Sequence, residues 1–542
     1  MAGLDPAIQR ASVRERYEFF RYALIRCRYS PRRQAGCLQG GHDGGEKNVS
    51  KLLFTEAEWD FAALDRTYKA IEEIALADLK LDVYPNQVEV ISSEQMLDAY
   101  SSLGMPLMYN HWSFGKLFAR EDTMYRAGYS ALAYEIVINS SPCISYLLEE
   151  NTMTMQALVM AHAAFGHNHF FKNNYLFRQW TNAEGILDYL AFAKHYITAC
   201  EERYGRDEVE SVLDAAHALM DQGVFRYRRP PKPSRERVLE KRRRRAAYEE
   251  EAYNELWRTL PQGVAPPAAP PTPEDEDEFD GDMKLPEENL LYFLEKHSPV
   301  LRAWQRELLR IVRNLAQYFY PQRQTKVMNE GCATFVHHTI MNLLFDRGLI
   351  GEGPVMEFLH SHTSVVFQPE FNDRRFGGIN PYALGFAMMS DIRRIAENPT
   401  PEDRDWFPGL AGTGDWVGAL KDAWANYRDE SFIEQFLSPK LMREFRLFAL
   451  YDKAEEDTYR VSAIHNEQGF RRVRSLLARQ YDTGIADPNI QVAGADLKGD
   501  RTLFLEHHMH RGVPLHHATK QLVTGHIERL WGHDVMLEEV AE

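Results

Sequence analysis

Cysteine is scarce in this chain, and none of it is paired at short range. The five residues, Cys27, Cys37, Cys143, Cys200 and Cys332, form no C-x-x-C. That excludes a zinc ribbon and argues against a disulfide framework, so reduced thiols of a cytoplasmic protein are expected. No apolar run approaches the roughly 20 residues that a membrane-spanning helix needs, and the N-terminus lacks the order of a secretory signal. A basic excess is also missing. The formal net charge is −16, which speaks against a nucleic-acid ligand, whose phosphates call for surplus cations. Neither G-x-x-x-x-G-K-[ST] nor G-x-S-x-G occurs, so a phosphate-cradling loop and a serine nucleophile elbow find no support.

What the chain has is length, 542 residues at 44% hydrophobic composition, enough for two to four structural units. The arginine-rich start, residues 1–50, reads as a disordered extension. Helical periodicity begins at "LFTEAEWDFAALDRTYKAIEEIALADLKLDVYP", with capping-box spacing at Thr55 and Glu58, and returns through "ALAYEIVINSSPCISYLLEE" and "AEGILDYLAFAKHYITACEERYG". Residues 51–227 are therefore expected to be a helical part. Residues 228–285 are proline-rich with separate basic and acidic blocks, the composition of a disordered linker or insert. Residues 286–485 read as a second helical part. Residues 486–542 read as strand, turn, strand, helix, strand, a small C-terminal α+β unit. The expected fold class is mainly α, a large helical core closed by that unit.

Three places could carry chemistry. In "ALVMAHAAFGHNHFFKNNYLF", His162, His167 and His169 lie within eight residues. On a straight helix residues seven apart differ by roughly 20° and residues five apart by roughly 140°, so His162 and His169 would share a face. A distortion at Gly166 would instead bring His162 and His167 onto one ion. In "NEGCATFVHH", Glu330 and His337 are seven apart, with Ala333 and Thr334 between them. Side chains that small should leave room for an ion, a water or a substrate. Glu135, in "LAYEIVIN", is a carboxylate among apolar residues that needs a partner if buried. Two imidazoles and a carboxylate suit zinc as Lewis acid and water activator. A two-metal carboxylate-histidine centre is equally compatible by ligand type, and twenty histidines also cluster by chance. "EFLHSHTSVV" places His360 and His362 two apart, a spacing that suits one strand face and that satisfied polar histidines explain equally well.

These stretches, with "YEIVINSSPCISYLLEEN", "LPEENLLYFLEKHSPVLRAWQRELLRIVR", "KVMNEGCATFVHHTI" and "NPYALGFAMMSDIRR", closely resemble the stage V sporulation protein R (SpoVR) family from about Leu52 to the end. The resemblance implies a bacterial cytoplasmic protein tied to spore cortex formation, or to stress physiology beside a PrkA-type serine kinase, with no firmly established reaction. Its pattern includes Glu135, His162, Gly166, His167, Glu330, Ala333 and His337. Cys332, His169 and His338 depart from it, and the two histidines are set aside as ligands. H-x-x-x-G-H with a later E-G-x-A is also similar to zinc metallopeptidases, which makes the metal site zincin-like; Ala163, however, stands where those enzymes place their catalytic Glu. The resulting expectation is a zinc hydrolase of peptidase or amidase type, with iron as the alternative metal. His162, His167 and Glu330 would bind the ion, Glu135 would act as base or as a further ligand, and His337 would stabilise the oxyanion or complete the ligand set, on a small peptide or cell-wall precursor. The other classes are a two-metal oxidase and a non-enzymatic regulatory partner.

Overall fold

The computed structural model describes residues 52–101, 134–226, 285–451, 460–463, 466–496 and 499–541, with scattered positions between 105 and 123. The expected extension and nearly all of the expected linker lie outside these. The described chain is mainly helical and divides into two compact units. One comprises the described parts of Met1–Ser211 and Asn314–Ala486, the other those of Val212–Arg313 and Asp487–Glu542.

The first unit opens with helix α1, Phe61–Glu73. Its start is fixed by Asp60, whose carboxylate accepts from the Ala63 amide at 2.6 Å, so the cap lies beyond the Thr55–Glu58 spacing. A three-stranded sheet follows: β1 (Asn86–Ile91), β2 (Glu135–Ile138) and β3 (Cys143–Leu148). The central β3 pairs parallel to β1 and antiparallel to β2, with Glu135 opposite Leu147. This corrects the helical reading of "ALAYEIVINSSPCISYLLEE". Short apolar runs do not separate helix from strand by period; here β-branched Ile136, Val137 and Ile138 favour extended backbone and Pro142 interrupts any helix.

Helix α2 (Met153–Met160) is buried on all sides, as expected of a core helix. Through Ala161–His167 the coil widens into a π-helical segment, then tightens again over Asn168–Asn173. Phe165 and Phe170 are fully buried, and each such side chain contributes roughly 1.5–3 kcal/mol relative to exposure. The segment is thereby pinned in the core. Helix α3, Lys326–Asp346, lies against it, and its first amides donate to the Asp429 carboxylate, Val327 N at 2.8 Å and Met328 N at 2.9 Å. Helix α4 is Glu352–Val365 and helix α5 is Pro381–Glu397. The "EFLHSHTSVV" stretch is thus helical, not a strand, and its histidines part: His360 is exposed while His362 is buried.

Backbones approach closely where α3 meets its neighbours. A Cβ added at Gly166 would stand 2.5 Å from the Ala333 Cα and 2.9 Å from its Cβ, and one added at Gly331 would stand 2.6 Å from the Gly385 Cα on α5. Glycine and alanine at these points let three chain segments touch backbone to backbone.

The far end of α5 is anchored by Arg394, which bonds Asp391 at 2.6 Å and both oxygens of Asp403 at 2.6 and 2.8 Å. Burial would raise the Asp403 carboxyl, but hydrogen bonds from Arg394 and Thr400 outweigh it and hold it at about 2. Its folded value lies below the ordinary 3.8, so its contribution is fully present above about pH 4 and is lost as pH falls towards 2. Acid titration followed by tryptophan fluorescence should show Asp403→Asn removing part of that acid-sensitive stability while changing little of the slope above pH 5.

In the second unit, β4 (Asn489–Ala495) pairs antiparallel to β5 (Leu503–Met509), which pairs parallel to β6 (Val535–Ala541). Helix α6, His517–Trp531, makes the crossover between β5 and β6 and ends at Gly532 in the left-handed conformation, φ 83°. Trp531 is fully buried.

Candidate metal centre

The widened turn decides which histidines meet. In a π-helical turn hydrogen bonds run from i to i+5, so side chains five apart stack along one face. His162 and His167 accordingly stand edge to face with ring centroids 4.6 Å apart. His169 is carried to the other side, where its Nδ1 contacts Asp82 N at 2.9 Å and its ring meets Trp424. His338 packs on His362 and Phe386.

Two carboxylates come to the paired imidazoles from other elements. Glu135, at the start of β2, places Oε1 3.4 Å from His162 Nε2. Glu330, in the second turn of α3, places Oε2 3.6 Å from His167 Nε2 and 4.0 Å from His162 Nε2. Donor atoms of Glu135, His162 and His167 all lie within 4.8 Å of one another. Ligands roughly 2.0–2.2 Å from a tetrahedral zinc stand about 3.4 Å from each other. The donor set and its spacing therefore fit a metal ion of that size.

The remaining ring nitrogens are held from behind. His167 Nδ1 meets Asn329 Oδ1 at 2.9 Å, and the ring stacks on Phe171. His162 Nδ1 lies 2.9 Å from His337 Nδ1, and His337 Nε2 lies 3.0 Å from His362 Nδ1. His337 is thus engaged at both nitrogens and stands behind His162, away from the carboxylates. The room expected above Ala333 is not open: the Gly166 backbone fills it.

The titrating groups show the mark of a dry site, in which burial disfavours every charged form. Burial, and then the Glu330 charge, raise Glu135 to about 8. Burial raises Glu330 to about 7 against the opposing pull of a Tyr382 hydrogen bond and the Lys326 charge. Burial also lowers Lys326 to about 8 and His167 to about 4. It pushes His162 and His337 well below the usual histidine range, helped by neighbouring imidazoles. Neutral histidines with available lone pairs are what metal coordination requires.

The sequence does not mark Asn329, Tyr382 or Lys326 as site residues, and marks His362 only weakly. Asn329 and Lys326 have only their proximity to Glu330 as a signal, and His362 stands in sequence as one of a weaker pair with His360. Tyr382 has none.

Likeness to known proteins extends over nearly the whole length. Residues 58–486 match the family model described as SpoVR like protein, and residues 488–542 match the SpoVR-like C-terminal domain. The chain belongs to the SpoVR family. It is 54% identical over 504 residues to "Uncharacterized protein YcgB" of Escherichia coli (strain K12), covering 92% of this chain and 96% of that relative. No solved structure matches. Among the described residues no helix is long and apolar enough to cross a membrane.

Proposed function

We propose that this SpoVR-family protein is a zinc-dependent hydrolase of peptidase or amidase type, with Glu135, His162 and His167 holding one ion. The observation that carries this reading is the spacing of their donor atoms, 3.4 Å from carboxylate to imidazole and all within 4.8 Å. Zinc bound there would supply a Lewis acid and lower the pKa of a water. Glu330, beside both histidines and tuned to about 7, is suited to take a proton from water and return it to the leaving nitrogen. The assignment takes the ligand alternative for Glu135, gives Glu330 the part of base in place of ligand, and makes His337 a support of His162 in place of an oxyanion stabiliser or ligand. The site is zincin-like in its ligand types, although its histidines sit five apart on a π-helical turn and not four apart as in H-E-x-x-H. The family's link to cortex and stress supports a cell-wall-related peptide as substrate, a cytoplasmic setting and a PrkA-type serine kinase as partner.

With Glu330 beside them, two histidines and two carboxylates are also donors of the type found in two-metal centres, which supports the two-metal oxidase as second reading. Elemental analysis of the purified protein separates them. One zinc per chain is the expected result, and two irons would favour the two-metal oxidase. A folded chain that takes up neither metal would overturn both and leave the regulatory role.

A further inference from the structure

From the hydrogen-bonded row His162–His337–His362 we infer that His337 and His362 are positioning residues that fix the tautomer of His162 and keep its Nε2 lone pair directed at the ion. The inference rests on the metal-site reading above. Three imidazoles joined nitrogen to nitrogen, at 2.9 Å and 3.0 Å, have only two consistent proton arrangements, because each contact needs one donor and one acceptor. In one, His362 donates to His337 and His337 donates to His162, which leaves the His162 proton on Nε2, facing Glu135. In the other, His162 Nδ1–H donates to His337 Nδ1, His337 Nε2–H donates to His362 Nδ1, and His162 Nε2 is free to bind. Only the second arrangement is compatible with a ligand at Nε2.

The row is built to hold one geometry. His162, His337 and His362 are all buried, at 4%, 2% and 5% exposure, and come from the π-helical segment, α3 and α4 respectively. Phe358 and Phe386 pack tilted and edge-on, respectively, against the His362 ring at 5.8 and 4.7 Å, so the outermost imidazole is clamped by aromatic side chains. His167 has its own orienting partner in Asn329, whose Oδ1 can only accept, which places a proton on Nδ1 and frees Nε2. Both metal-facing histidines thus have Nδ1 engaged from behind.

The test compares His337→Leu, His337→Gln and His362→Phe. Leucine can neither donate nor accept, whereas a glutamine can accept from His162 with its carbonyl and donate to His362 with its amide. Zinc affinity, measured by competition with a chromophoric chelator, is expected to fall about 10–100-fold in His337→Leu and less in His362→Phe, and to be largely restored in His337→Gln. Nitrogen-15 NMR of histidine-labelled, metal-free protein should show the His162 proton on Nδ1 in the wild type and a shift towards Nε2 in His337→Leu. His362→Phe keeps an aromatic ring in its clamp and guards against a fold defect in the α3 variant. Equal zinc affinity in all three folded variants, or a wild-type His162 already protonated on Nε2, would overturn the inference. A wild type that binds no zinc yet shows the Nδ1–H tautomer would instead count against the metal-site reading alone.

Discussion

Gly166→Ala is expected to lower stability by about 1–3 kcal/mol, the usual cost of forcing one extra carbon into a close-packed contact, and to strip the protein of zinc. The added carbon would fall 2.5 Å from the Ala333 Cα. A Cα cannot rotate aside as a side chain can, so the π-helical segment and α3 must separate. That separation deforms the turn that pairs His162 with His167 and pulls their Nδ1 atoms from His337 and Asn329 on α3, each now 2.9 Å away, so the two imidazoles lose their common aim at the ion. Ala333→Gly would remove the 2.9 Å clash with the Ala333 Cβ and leave the 2.5 Å one, so the double variant should recover only part of the loss. Urea unfolding and metal content together provide the measurement. A Gly166→Ala protein with wild-type midpoint and zinc content would show that the contact tolerates a wider helix spacing.

Gly166 also shows how far the sequence could be read. Its place directly before His167 marked where the helix could be deformed. Without that deformation, the arithmetic of a straight helix pairs His162 with His169, which the structure sends to Asp82 and Trp424. The period of a helix is local, whereas the widened turn is held by contacts with α3, 162 to 175 residues away along the chain, and no spacing rule contains them. Ala333 was legible as small but not for its purpose, because a small residue serves an open cavity and a close helix contact equally well. The strands at Glu135–Ile138 and Cys143–Leu148 were missed for a related reason: short apolar runs carry too few periods to declare themselves. Element types in the C-terminal unit, whose strands are longer and bounded by turn residues, were legible. His362 belongs to the site through one imidazole contact across two helices, a relation that pattern alone does not encode.

The two carboxylates give the sharpest division of roles, because glutamine preserves their shape while removing the charge. Glu135→Gln is expected to lose zinc by more than the roughly 10–100-fold that an outer partner costs, since a neutral amide replaces an anionic ligand 3.4 Å from His162 Nε2. Glu330→Gln is expected to keep the ion and lose turnover by about 10²–10⁴-fold, the range for removal of a general acid–base group. The asymmetry follows from their surroundings. Glu135 enters from a strand end with donors of both histidines in its group, whereas Glu330 is served by the Tyr382 hydroxyl and the Lys326 charge, partners that suit a group gaining and losing a proton. Equilibrium dialysis against zinc, followed by hydrolysis assays of the same preparations on cell-wall peptides, reads both quantities. If Glu330→Gln loses the ion while Glu135→Gln retains it, the ligand and base exchange places. If both variants bind zinc as the wild type does, the ion is held elsewhere and the proposed chemistry fails with it.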